Sequence, residues 1–354
     1  MVISILLAAV GIILILLVIV DFGNTAFVPS DEGPITGFIN RNVFNAVYLL
    51  SGKDGYNRFL EYTGLITIFV LSLTWILLLW AGFSCIYIAD PNSVLVGQDK
   101  SLADTFEKIY HVGYTLSTLG IGDYVPGNNL WRVITSFVSF VGLVTITMSI
   151  TYLVPVISSA IQKRSLSLQI SSLGESPEQI VINSFDGEDF RQAGSALTSL
   201  SSDIFKYAQN HLAYPILHYM HSSNPSENIT LQIIALDEAL TILLFHIPEA
   251  LRPNTLELQS VRRAVTTYLQ TVKHIDDAEE QPPRPLFRLI EDFTGIAPIN
   301  TTSPNMEDIY AALDKRRRLL YGTLLSDGWQ WKDLRTEKFI SELDIQYTNK
   351  LMQS

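Results

Sequence analysis

The sequence predicts an all-α membrane protein continued by a soluble, all-α C-terminal domain. Three observations carry this. Residues 1–20, 62–89 and 133–162 contain no Asp, Glu, Lys or Arg. Each run reaches the roughly 20 residues that an α-helix needs to cross the hydrocarbon of a bilayer. Residues 165–354 show mainly helical periodicity, punctuated by proline-rich stretches. The composition agrees. Only 17% of the 354 residues are charged, against about 25% in a soluble chain, and the mean hydropathy is +0.25. A wholly soluble enzyme and a simple single-span anchor are both excluded. The net charge of −11 without a broad basic patch excludes nucleic acid as a partner.

The first element, residues 1–22, reads as a retained N-terminal span. It lacks the basic start and the prompt small-residue cleavage site of a secretory signal. Residues 23–61 form a linker whose apolar residues Phe38, Ile39, Val43, Phe44, Val47, Leu49 and Leu50 surround Arg41. Two readings stay open for it: a short amphipathic helix on the inner membrane surface, or a loop with scattered apolar residues. Arg41, Lys53 and Arg58 in this linker, and Lys163 and Arg164 after the third apolar run, set the orientation by positive charge. The N-terminus is expected outside, residues 90–130 outside, and the C-terminal half in the cytoplasm of a multi-pass protein of the cell (inner) membrane.

The second and third spans, 62–89 and 131–160, enclose the most informative stretch, DTFEKIYHVGYTLSTLGIGDYVPGNNLW. Residues 104–117 read as a short helix opened by Asp104 with Glu107 three residues on, a capping box. It runs into Ser117-Thr118-Leu119-Gly120-Ile121-Gly122-Asp123. Glycines at alternate positions permit backbone conformations that L-residues avoid, so an extended segment can turn successive carbonyls to one side. Four copies around an axis would stack rings of oxygens able to replace a cation's hydration shell. Non-helical backbone at membrane depth is tolerated only where it is buried in protein or lines water. Residues 90–123 carry five acids and two bases, which concentrates cations at the outer end.

Here the chain resembles potassium channels of the bacterial type with two spans and one pore loop. Thr118-Leu119-Gly120-Ile121-Gly122-Asp123 resembles that family's selectivity-filter signature, Thr-Val-Gly-Tyr-Gly-Asp. Thr115-x-Ser117-Thr118 is similar to its Thr-x-Thr-Thr, and Leu130-Trp131-Arg132 to the start of its pore-lining helix. Gly142 stands where such helices often carry a hinge glycine, and Val154-Pro155-Val156 resembles a proline kink near the inner end. The resemblance covers about residues 62–160, the pore module with its pore helix and filter at 104–124. It implies that the carbonyls of Thr118, Leu119, Gly120, Ile121 and Gly122 coordinate ions, with Asp123 at the outer mouth. Tyr110, His111, Thr115 and Ser117 would support the filter, and Gly142 and Pro155 would serve as gating hinges. Two departures bear on selectivity. Ile121 replaces the family's aromatic residue, and Tyr110 and His111 replace a pair of tryptophans. A softer filter follows, and His111 is either an outer pH sensor or a ring packed behind the filter.

Gly120-Ile121-Gly122-Asp123 also resembles the Gly-x-Gly-Asp of intramembrane aspartyl proteases. Their partner Tyr-Asp motif is absent, and no aspartate lies inside the apolar runs. In the third span, Thr147 and Thr151 share a face that either lines a water-filled cavity or packs against a helix. No span is rich in arginine, so a voltage sensor of the usual kind is not expected.

In the soluble half, helices are expected at 188–209, Ile229–Phe245, 256–274, Met306–Ser326 and 332–350. Ile229–Phe245 is very apolar, but Asp237 and Glu238 at its middle argue for a buried soluble helix over a fourth span. Lys315-Arg316-Arg317-Arg318 reads as a solvated helix face. His211, His218 and His221 cluster in sequence, but Pro215 interrupts them and no acid or cysteine accompanies them, so structural roles are favoured over a metal site. Asn228 and Asn300 match glycosylation acceptors on the side expected to be cytoplasmic. The single cysteine, Cys85, forms no intrachain disulfide. No nucleotide-binding glycine motif is present.

The expected function is passive, potassium-selective conduction by a homotetramer in a lipid bilayer, not enzymatic, with no cofactor and no metal beyond permeant potassium. The alternatives are a weakly selective monovalent cation channel, or a membrane-anchored signalling or scaffold protein built on a non-conducting pore-like module. For the cytoplasmic domain an unidentified ligand or protein partner is left open.

Overall fold

The computed structural model describes residues 1–28, 32–272, 278–284 and 306–335. They divide into two compact units. One comprises residues 1–46, 63–158 and 213–219, and the other residues 47–62, 159–212 and 220 onward.

In the first unit, α1 (Val2–Phe27) and α3 (Thr63–Ala89) pack side by side. Their crossing is close because both carry glycine at the contact. A Cβ on Gly11 would fall 2.5 Å from the Gly82 carbonyl oxygen, and one on Gly82 would fall 3.0 Å from that of Gly11. Small residues at such crossings let helix backbones approach where lipid offers no hydrophobic drive. Ile15, Val18, Leu71, Trp75, Leu79 and Phe83 are buried between the helices. Ile5, Leu6, Ile12, Leu65 and Phe69 point outward, the apolar exterior that a bilayer requires.

Near the end of α1, Asp21 is fully buried. One carboxylate oxygen accepts the Ile35 and Thr36 amides at 2.7 and 3.1 Å, and the other accepts the Trp75 indole N–H at 2.8 Å. It thereby satisfies the open N-terminal amides of α2 (Pro34–Leu50). The linker therefore contains a helix, which resolves that alternative against the loop. It does not stay in one piece, however: residues 47–62 belong to the second unit. Residues 58–62 form a short 3₁₀ turn leading into α3.

Helix α4 (Thr105–Leu116) matches the expected 104–117, with both bonds of the Asp104–Glu107 capping box formed. Two three-residue strands, β1 (Val94–Val96) and β2 (Tyr124–Pro126), pair antiparallel and were too short to leave a periodic signal. α5 (Asn129–Ser171) is 43 residues long and helical through Pro155. The helix continues past residue 160, the expected limit of the span, through Lys163 and Arg164, and no glycine interrupts the chain between Gly142 and Gly174.

The second unit surrounds α8 (Ile229–Phe245), whose first fifteen residues are all buried. Around it lie α6 (Pro177–Asn183), α7 (Ala193–Ala213), α9 (Thr255–Leu269) and α10 (Met306–Ser326). α8 and α10 have their expected limits. α7 starts later than residue 188 because the Asp186 carboxylate accepts the Glu188 and Asp189 amides, a local turn that competes with helix. α9 ends at Leu269, ahead of the expected residue 274. The helix expected at 332–350 is replaced at its start by a 3₁₀ turn, Trp331–Arg335. Its remainder and Asn300 lie outside the described residues.

The basic run in α10 is also corrected. Arg316 makes a two-pronged ion pair with Asp237 at 2.7 and 2.9 Å, and Arg317 one with Glu238 at 2.8 and 2.9 Å. Arg317 is only 5% exposed. Arg316 and Arg317 thus neutralise the acids of α8 inside the domain, while Lys315 stays exposed. Burial works against the charged form of Asp237, but Arg262 and Arg316 more than offset it and hold the carboxyl below its usual range.

Candidate functional site

The site is built on α4 and the segment that follows it. The side chains of α4 are fastened to their surroundings by polar contacts. Lys108 donates to the Asp90 carbonyl at 2.7 Å, and the Trp80 indole donates to the Ile109 carbonyl at 2.9 Å. Trp131, at the start of α5, donates to the Asp90 carboxylate at 2.7 Å, and its ring lies against Tyr87.

At the C-terminal end of α4 the chain winds tightly. The Ser117, Thr118 and Leu119 amides donate to the Gly113, Thr115 and Tyr114 carbonyls. Then the backbone alternates. Thr118, Gly120 and Gly122 have φ of 62°, 58° and 84°, whereas Leu119 and Ile121 keep negative φ. Left-handed backbone at a β-branched residue such as Thr118 is an outlier that surrounding structure must impose. Among the described residues, no donor reaches the carbonyls of residues 118–122. Backbone carbonyls out of reach of protein donors face water or a ligand. The outer end is closed by the Gly97 amide, which donates to the Asp123 carbonyl at 2.7 Å.

A chain of side chains stands behind the segment. The Tyr114 hydroxyl donates to the Tyr124 carbonyl at 2.6 Å, and the His111 Nδ1 lies 2.7 Å from the same hydroxyl. A phenol has one proton, so Nδ1 is the donor to Tyr114 and His111 is the neutral Nδ1–H tautomer. Its Nε2 is buried without a partner. The Tyr124 hydroxyl donates to Glu107 at 2.8 Å, and the Tyr110 ring packs edge-on to both Tyr114 and Tyr124.

The structure thus brings Tyr110, His111, Ser117, Thr118, Gly120, Gly122 and Asp123 to one place, with Thr115 buried in α4. The Ser117 hydroxyl bonds back to the Tyr114 carbonyl at 3.0 Å. His111 is 1% exposed, which places its ring behind the segment rather than on the outer surface. Sequence reasoning passed over Tyr114 and Tyr124, and saw in Glu107 only a helix cap. The spacing of Tyr110, Tyr114 and Glu107 on one helix face was the available signal.

Gly142 has a packing reason for its residue type. A Cβ there would fall 1.8 Å from the Leu116 carbonyl oxygen, so the absence of a side chain lets α5 touch the end of α4. Pro155 lies within continuous helix. Thr145, Thr147, Ser149 and Thr151 each bond back to the carbonyl four residues earlier. In the second unit the histidines have separate partners. His211 meets Thr271 at 3.0 Å, and His221 meets Asp327 and the Gly55 carbonyl. Asn228 is buried, caps α8 and donates to Asp327 at 2.9 Å, which leaves no room for a glycan. His218 stacks edge-on to Tyr219 in the first unit.

Among the described residues three helices are long and apolar enough to cross a membrane, and they contain α1, α3 and α5. A family of ion channels matches residues 67–159, which hold α4 and the 117–123 segment. An uncharacterized membrane protein of Bacillus subtilis, YdjJ, is 34% identical over 324 residues, covering 91% of this chain and 94% of its own. No solved structure matches the chain significantly. The chain belongs to the family of membrane proteins that includes YdjJ, and within it residues 67–159 are similar to an ion-channel domain.

Proposed function

We propose that the protein is a potassium-selective channel that conducts passively through a filter at residues 118–122, assembled from four copies of the chain. The observation that carries this reading is the run of five backbone carbonyls without protein donors, along a segment whose φ alternates in sign. Such a segment supplies oxygens to a dehydrated cation without side-chain charge. The Thr118 hydroxyl adds a ring at the inner end, and Asp123 raises cation concentration at the outer end. One chain supplies one quarter of the ring. The protomer leaves an apolar groove of about 430 Å³ lined by Trp80, Tyr110, Tyr114, Gly142 and Thr145. By its charge pattern the N-terminus is outside and the C-terminal unit faces the cytoplasm of the cell membrane.

Flux in liposomes tests the reading. Wild-type protein is expected to carry potassium, and Gly120→Ala to abolish the flux, because a left-handed L-residue costs about 1–2 kcal/mol per subunit. No cation flux under any condition would favour the non-conducting scaffold. A specific observation favours a weakly selective channel as the second reading: the Tyr114 hydroxyl is spent on the Tyr124 carbonyl, and the Ile121 side chain has no polar atom for a pore-loop hydroxyl to hold. Near-equal potassium and sodium permeabilities, read from reversal potentials, would establish it over the first.

A further inference from the structure

Within the second unit, residues 47–62 lie against the C-terminal helices, and one histidine joins them. His221 is buried. Its Nδ1 is 2.8 Å from an Asp327 carboxylate oxygen, and its Nε2 is 2.7 Å from the Gly55 carbonyl oxygen. Both partners only accept. Both ring nitrogens must therefore carry protons, and the ring that fits this geometry is the imidazolium. The surroundings are built for that cation. The Trp329 indole stacks on the ring at 5.8 Å and 19°, and Asn228 holds the second Asp327 oxygen at 2.9 Å.

Other bonds also hold the segment that His221 grips. The Gly55 amide donates to the Gly328 carbonyl at 2.9 Å, and Tyr48 and Tyr56 donate to the Leu325 carbonyl and to Asp333 at 3.2 and 3.3 Å. Gly55 sits so close to Trp329 that a Cβ would fall 2.7 Å from the indole. Ser223 also donates to Glu61. The segment joins α2 to the span α3.

We propose that His221 is a pH-operated latch: its protonated ring ties the 51–57 loop to the C-terminal unit, and loss of one proton releases that loop. When the ring is neutral, the proton stays on Nδ1 beside the Asp327 charge. The Nε2 lone pair then faces the Gly55 carbonyl oxygen, and an attraction becomes a repulsion.

The titratable groups around the ring are Asp327, Lys163 of α5, and Tyr48, Tyr207 and Tyr268, which face Asp327. Glu61, Glu227 and Asp333 on the adjoining loops are engaged by Ser223, Arg164 and Tyr56. Burial opposes the ring's charge and Lys163 subtracts further. Asp327 and the Gly55 carbonyl outweigh both, so the His221 pKa lies above its ordinary value. A raised pKa gives a contribution that is complete below about pH 6.5 and is lost as pH rises through the folded value. The latch is closed in acid and opens towards alkaline pH.

The test reads the loop itself and does not depend on conduction. Amide hydrogen exchange of the full chain in lipid nanodiscs is followed from pH 5.5 to 9, corrected for intrinsic exchange, for peptides covering residues 51–57. A peptide within Ile229–Phe245 reports global folding. In wild-type protein, opening of the loop is expected to rise up to about tenfold per pH unit above 6.5 until the folded pKa is passed. His221→Gln is expected to abolish that transition, and Asp327→Asn to move it to lower pH, both with the α8 peptide still protected. Loop protection independent of pH in wild-type protein overturns the proposal. So does a transition that survives unchanged in either variant. If a variant loses α8 protection, the wild-type curve and the other variant decide.

Discussion

Tyr114 has one hydroxyl proton and two neighbours, and it gives that proton to the Tyr124 carbonyl while accepting from His111. The contact ties the strand leaving residues 118–123 to the helix entering them. Tyr114→Phe keeps the ring and removes the tie. It leaves a buried Nδ1–H and a carbonyl unpartnered, at a cost of about 1–3 kcal/mol. If the protein conducts as proposed, the expected outcome is weaker discrimination of potassium from sodium, read as a shift in reversal potential. An unchanged reversal potential would show that the tie does not govern the segment's geometry. Nothing in the sequence singles this tyrosine out, because its partner is a backbone atom ten residues away.

The elements meet through small residues at defined points. Gly11 and Gly82 bring α1 to α3, and Gly142 brings α5 to the end of α4. Gly142→Ala places a methyl group where the Leu116 carbonyl stands. Overpacking of this kind costs about 1–3 kcal/mol, and here it displaces the helix end that leads into residues 117–123. Thermal melts in detergent are expected to show a lower Tm for Gly142→Ala, together with reduced flux. A melt equal to wild type would contradict the close contact. Hinging at Gly142 therefore cannot be read from that substitution alone. Pro155→Ala restores a helical hydrogen bond without a steric clash and is the cleaner probe of bending in α5.

At the scale of the molecule, the second unit is organised by a charged pair inside an apolar helix. Asp237 and Glu238 interrupt the apolar run of α8, and Arg316 and Arg317 answer them from α10. Removing one partner of a buried pair strands the other, at about 3–5 kcal/mol. Glu238→Leu is accordingly expected to lower the Tm of the full chain markedly. Adding Arg317→Met should recover at least half of that loss. Full recovery is not expected, because Arg317 also donates to the Pro282 and Pro283 carbonyls. Additive losses in the double variant would mean that the pair is not coupled. The acidic doublet in α8 and the basic run in α10 were both visible in the sequence. Their pairing was not, because they lie 79 residues apart and neither helix's own pattern points to the other.

By itself the sequence determined what depends on local chemistry. Charge-free runs of span length gave the membrane helices, Asp104 and Glu107 gave the start of α4, and alternate glycines gave a segment free to adopt left-handed backbone. Those signals act over a few residues and survive in any tertiary context. Only the tertiary structure decided which polar groups find each other. It brought Asp21 to the N-terminus of α2, Tyr114 to the Tyr124 carbonyl, and His221 to Gly55, and it assigned the residues 47–62 to the unit formed by the C-terminal helices. A hydrogen bond between residues 166 positions apart leaves no periodicity in the chain. It exists because a buried donor without an acceptor is too costly to leave.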